Sequence, residues 1–166
     1  MSNIQSKLLV ALTVVTACFA WTTQAAAQDS NLIARGIGYT QSGGPMFEAL
    51  GNNYAAAIQG IGSSYTDQVR VAYGNGNQAT VDALVGEFQI NAAAMTRQGL
   101  LEGMDNISEL KDKMDTLIAA AALEDTVVQL TLYRGILISA HDNARLQIRA
   151  AYNAARDSVT NAANGN

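Results

Sequence analysis

The sequence predicts an all-α protein, a bundle of three to four long helices behind a cleaved N-terminal signal peptide and a short irregular lead-in. Three observations lead there. Beyond Pro45, apolar residues recur at steps of three and four, the period of an amphipathic helix. Alanine, the strongest helix former, supplies 29 of the 166 residues, and proline, the strongest breaker, occurs once. From Met104 onward only Gly135 and Gly165 remain of fourteen glycines. The length fits one domain. At 14% charged residues and a net charge of -4, the composition is too apolar and too weakly charged for a disordered chain.

Residues 1–27 read as an export address. Lys7 supplies a positive charge, Leu8 to Ala20 is a run of apolar and small side chains, and Ala25-Ala26-Ala27 precedes Gln28. A basic start, a short apolar run and an A-x-A site are the parts of a secretory signal. Cleavage after Ala27 leaves 139 residues, and the bacterial form of the signal directs them to the periplasm or beyond. Two readings compete. Leu8 to Ala27 is long enough to stay as a membrane anchor, although Thr22, Thr23 and Gln24 weaken its end. Val15-Thr16-Ala17-Cys18 resembles a lipobox, with Cys18 as the lipidated residue.

Cleavage removes Cys18 and Trp21. The remaining chain has no cysteine, hence no disulfide, thiol nucleophile or thiolate metal site. It keeps nine basic and fourteen acidic residues, net -5, which is no electrostatic footprint for nucleic acid. No stable membrane span is expected after cleavage.

Residues 28–44 read as an irregular segment, because they carry little periodicity and end in Gln41-Ser42-Gly43-Gly44-Pro45. The bundle domain is expected over residues 45–163, with a frayed tail at 164–166. Pro45 suits the first position of a helix, with Glu48 in its first turn. Phe47, Leu50, Tyr54, Ile58, Ile61, Tyr65, Val69 and Ala72 form its stripe, with a bend or break expected near Gly60-Ile61-Gly62. Gly74-Asn75-Gly76-Asn77 is a turn.

A second helix runs from about Gln78 to Leu100 on Val81, Leu84, Val85, Phe88, Ala92 and Met95, closed by Gly99 and Gly103. A third begins near Asn106, where Asn106 and Glu109 have capping-box spacing. The last starts around Glu124-Asp125 or continues directly from the third, and if unbroken to Ala163 it spans forty residues, about 60 Å. Its stripe is rich in alanine, so it is expected to be sandwiched between other helices or between subunits. No internal repeat at a fixed period is evident.

Chemistry is sparse. His141 is the only histidine and stands in no nucleophilic arrangement, so it reads as a solvated or core-edge residue. Glu102, Asp105, Glu109, Asp112 and Asp115 share a helical face, which reads as a solvated acidic surface rather than a metal site. Met46, Met95, Met104 and Met114 are the sulfur ligands a haem would need with His141, but their positions suit core filling. A cell-wall hydrolase would need a buried Glu, for which Glu48 and Glu87 are the candidates. No catalytic, cofactor-binding or metal residue and no cofactor is assigned.

Two features favour assembly. Residues 102–125 carry a net charge of -5 and residues 126–166 a net charge of +2, a complementary pair within the bundle or between subunits. The polar residues are largely Asn, Gln, Ser and Thr, which bury at an interface more cheaply than Lys or Glu. The chain therefore reads as an exported, non-enzymatic bundle acting through protein–protein contacts or self-association, in cell-envelope assembly, a surface appendage or a secretion machine. The alternative is a periplasmic binding or chaperone-like bundle. It would hold a small apolar ligand or unfolded chain in a groove exposing Tyr54, Tyr65, Phe88 and Tyr133.

Overall fold

Three helices account for the described chain: α1 (Asn3–Gly74), α2 (Gln78–Ala120) and α3 (Glu124–Ala163). The computed structural model describes the backbone of residues 3–166 and the side chains of residues 23–166. Side chains of residues 1–22 of the proposed signal segment, including Lys7, Cys18 and Trp21, lie outside the described residues. Among the described residues, no helix is long and apolar enough to cross a membrane.

The turn between α1 and α2 falls where expected. Gly76 has φ +65°, and the N–H groups of Gly76 and Asn77 donate to the carbonyls of Tyr73 and Ala72. This is a Schellman closure, and it places glycine at the left-handed position. Asn77 then caps α2, its side-chain oxygen accepting from the Thr80 N–H at 3.2 Å. The second connection, Ala121 to Leu123, is extended at both ends. The last helix starts at Glu124 and ends at Ala163, as its pattern predicts.

Four expectations are corrected. Residues 28–44 are helical rather than irregular. Pro45 lies inside α1 rather than at a helix start. α1 does not break at Gly60-Ile61-Gly62. Gly99 and Gly103 do not end α2, which runs through Asn106 without a new cap. One cause underlies most of these corrections. Gly36, Gly43, Gly62, Gly99 and Gly103 face a neighbouring helix, where the absence of Cβ makes room for close packing, while Gly38, Gly44 and Gly60 face open space. A Cβ on Gly62 would lie 2.5 Å from the Ala155 Cβ, and one on Gly99 would lie 2.6 Å from the Tyr54 ring. Close packing offsets the helix cost of glycine, about 1 kcal/mol each.

The contacts fix the topology. Along α1, Gly36, Gly43, Gly51 and Gly62 meet Leu130, Leu137, Ala144 and Ala155 of α3 in that order. Both series ascend, so α1 and α3 run parallel, held in one register along their length. α2 returns antiparallel between them, with Gly99 on Tyr54 and Gly103 on His141.

Burial recurs every eleven residues on each helix. Gly36, Phe47, Ile58 and Val69 are buried on α1, Val81, Ala92, Gly103 and Met114 on α2, and Thr126, Leu137, Ile148 and Val159 on α3. Eleven residues make three turns at about 3.67 residues per turn, close to the 3.6 of an unstrained helix, so slight right-handed winding keeps the faces together.

Candidate interaction surface

Asp29, near the start of the packed part of α1, reaches the connection between α2 and α3. It is 1% exposed. Its carboxylate accepts from the N–H groups of Ala122 at 3.0 Å and Leu123 at 2.8 Å. α3 has no side-chain cap of its own, so a residue of α1 satisfies backbone donors just ahead of it. The Ala122 N–H, opposed by desolvation but joined by Leu123 and Thr126, holds the Asp29 carboxyl below its ordinary value. Residues 26–28, just ahead of it, are exposed.

His141 sits where all three helices meet. It is 6% exposed. Its ring lies edge-on to Phe47 of α1 at 5.5 Å, and Gly103 of α2 stands across from Nε2. Nδ1 is 3.4 Å from an Asp142 carboxylate oxygen, while Nε2 has no hydrogen-bond partner among the described residues. Desolvation pushes its pKa below the ordinary 6.5, against the pull of Asp142 and with the help of Arg145 and Lys111. His141 is thus a core residue rather than a solvated one. Met114, the fully buried methionine, packs by Gly36 and Leu130. Leu130 is three turns from His141, about 16 Å along the axis, so the two do not form a ligand pair.

The other chemical candidates are not brought together. Glu48 and Glu87 are exposed, so neither occupies a buried cleft. Glu48 lines a groove of about 440 Å³ with Gly44, Pro45, Ala140, Asn143 and Gln147. Three of the five acids on the acidic face of α2 make ordinary pairs. Glu102 accepts from the Tyr54 hydroxyl at 2.7 Å, Glu109 pairs with Lys113 at 2.5 Å, and Asp115 pairs with Arg134 of α3 at 2.7 Å. No group of three or more metal-binding side chains occurs among the described residues. The aromatics proposed to line a ligand groove pack inward instead. Phe88 is buried against the edge of Tyr65, and Tyr54 and Tyr133 are half-buried at glycines.

What distinguishes the surface is its division by charge. α2 carries ten charged residues. Between Gly36 and Thr66, α1 carries one, Glu48. The outer face of α1 there is small or uncharged polar: Gly38, Ser42, Pro45, Ala49, Asn52, Ala56 and Ser63, all exposed. The outer face of α3 goes further. Val128, Leu132, Ile136 and Leu146 are 52%, 62%, 51% and 63% exposed. Gly135, Ser139, Asn143, Ala150 and Ala154 complete a stripe with no charge over residues 128–154, opposite the buried face. The charges of that stretch, Arg134, Asp142, Arg145 and Arg149, fall by helical angle outside the stripe, on the flank toward α2.

Sequence reading missed this second stripe. The steps of four from Val128 to Leu132 to Ile136 would have shown it. No family model matches the chain. No curated protein and no solved structure matches it either.

Proposed function

We propose that this chain is an exported, non-enzymatic helical bundle that works through protein–protein contacts, as a component of envelope assembly, a surface appendage or a secretion machine. The observation that carries the reading is the charge-poor flank formed by the outer faces of α1 and α3. Surfaces kept wet usually hold interspersed charge, and depletion of charge marks the centres of interfaces. A long exposed stripe containing Val, Leu and Ile is the kind of patch that points to a partner.

The start of the packed unit supports the export part. Asp29 is buried and Leu32 follows it into the core, while Ala26, Ala27 and Gln28 are exposed. The test is to express the full chain in a bacterial host, fractionate the cells and weigh the product. Processed protein in the periplasmic or extracellular fraction, with the mass of residues 28–166, is the expected result. Unprocessed protein in the cytoplasm would overturn the export reading. Lipid on Cys18 would move the site of action to a membrane surface.

A further inference from the structure

We infer that Gln28, made the first residue by cleavage after Ala27, closes on its own amine to a pyroglutamate, so that the mature chain begins with an uncharged lactam. The inference rests on the export reading and deepens it by naming the chemical form of the new end.

Gln28 is exposed and stands directly before Asp29, which is 1% exposed and accepts from the Ala122 and Leu123 amides. Once the residues ahead of it are gone, its backbone is anchored from one side only. Its carboxamide has no hydrogen-bond partner among the described residues. Other glutamines are engaged, Gln68 donating to the Ser64 carbonyl at 3.2 Å and Gln78 to the Asp82 carboxylate at 2.9 Å.

In the uncut chain the Gln28 nitrogen is a peptide nitrogen inside α1, its lone pair delocalised into the amide. Cleavage turns it into a primary amine. It then opens a helix, where no carbonyl four residues earlier remains to engage it. An α-amino group has a pKa of about 7.7–8.0, so roughly a tenth of it is free base at neutral pH. That lone pair attacks the side-chain Cδ. The bond from the amine nitrogen to Cδ forms, and the bond from Cδ to Nε2 breaks. Nε2 leaves as ammonia, taking the proton that the amine nitrogen gives up. Nothing is oxidised or reduced, and no co-reactant enters.

The fold leaves this path open. The ring consists of N, Cα, Cβ, Cγ and Cδ of Gln28 alone. Closing it turns side-chain torsions and leaves ψ of Gln28 free to stay helical, so the Asp29 clasp and the helix beyond need not move. The product also suits its place. An ammonium group opposes the positive pole at the start of a helix, and the lactam carries no charge.

The test follows the processed chain, isolated from the periplasmic or extracellular fraction of a bacterial host and held at neutral pH. Amines are labelled by reductive methylation at intervals, and the peptide from residue 28 to Arg35 is then weighed and fragmented. Freshly cut protein has the mass of residues 28–166 and takes the label at its first residue. With time the label is lost there and the peptide becomes lighter by one ammonia. Gln28→Asn keeps a carboxamide but could close only a strained four-membered ring, and Gln28→Ala has no carboxamide, so both keep the label throughout. Position 28 is exposed, so helical circular dichroism of both variants stays as in the wild type. A chain cut after Ala27 whose first amine stays open to the label overturns the lactam and leaves the export reading standing. Loss of the label in Gln28→Asn as well, or a gain of mass in the wild type, overturns ring closure as the cause. A chain left uncut, or cut at another bond, overturns the expected cleavage and the lactam together.

Discussion

Gly60 and Gly62 lie one turn-fraction apart on α1, and the fold assigns opposite signs to the same substitution at the two. Gly→Ala in a helix interior is favourable by about 0.5–1 kcal/mol, through backbone entropy. At Gly60 a Cβ meets nothing within 4 Å, so Gly60→Ala gains that full amount. At Gly62 the new Cβ would lie 2.5 Å from the Ala155 Cβ and 3.1 Å from its Cα. Carbon atoms in contact prefer about 3.5–4.0 Å. Ala155 has no flexible end to swing aside, so the backbones of α1 and α3 must separate. Overpacking of this kind costs about 1–3 kcal/mol. Less the propensity gain, Gly62→Ala is destabilised by about 0–2 kcal/mol, which places it about 1–3 kcal/mol below Gly60→Ala. At about 4 °C per kcal/mol for a domain of this size, the two melting temperatures differ by about 4–12 °C. Thermal and urea unfolding followed by helical circular dichroism measure both. A Gly62→Ala variant as stable as Gly60→Ala would refute the close parallel approach of α1 and α3.

Three further outcomes follow from single residues. Because burial lowers the His141 pKa, the unfolded chain binds a proton near its ordinary 6.5 before the native state does. Stability is then full above that value and is lost as pH falls from 6.5 through the lowered native value. His141→Leu removes this slope, and a wild-type melting temperature flat between about pH 7 and pH 5 would contradict it. Asp29 has its pKa lowered by the N–H groups it accepts from, so its stabilisation is present above its ordinary 3.8 and lost as pH falls through the lower native value. Asp29→Ala speeds hydrogen exchange at the Ala122 and Leu123 amides at neutral pH, and unchanged exchange there would show that the clasp does not form. Pro45 is exposed in the interior of α1, where its ring opposes the carbonyl of Gln41. Pro45→Ala raises stability by about 1–3 kcal/mol in urea unfolding, and a loss would mean that the helix does not continue through this point.

Local signals were legible where no distant partner overrode them. The Gly74–Asn77 turn and the whole of α3 follow from composition, because Glu124 and Asp125 suit a helix start and no proline lies beyond them. Gly36, Gly43, Gly99 and Gly103 misled because glycine weakens an isolated helix. Only the neighbour across the interface, such as Leu130 at Gly36 or Tyr54 at Gly99, shows why it is there. The eleven-residue recurrence hid for a related reason. Its positions hold side chains from Gly36 to Phe47, so the repeat is one of burial and not of residue type. The cap that Asp29 provides joins residues more than ninety positions apart, and no spacing along the chain announces it. The outer stripe of α3 shares its helical period with the inner one, and the inner one alone holds the buried Leu130, Leu137, Ile148 and Val159.

The most direct test of a role in protein contact is photocross-linking in cells at single positions. A photoreactive residue replaces Leu132 or Leu146 on the charge-poor flank, or Ile90 or Leu101 on α2, in the full chain in its own host. All four side chains are exposed, so all are open to a neighbour. Discrete adducts from Leu132 and Leu146, and none from Ile90 and Leu101, are the predicted result. Adducts confined to the α2 positions, or none from any position, would contradict it.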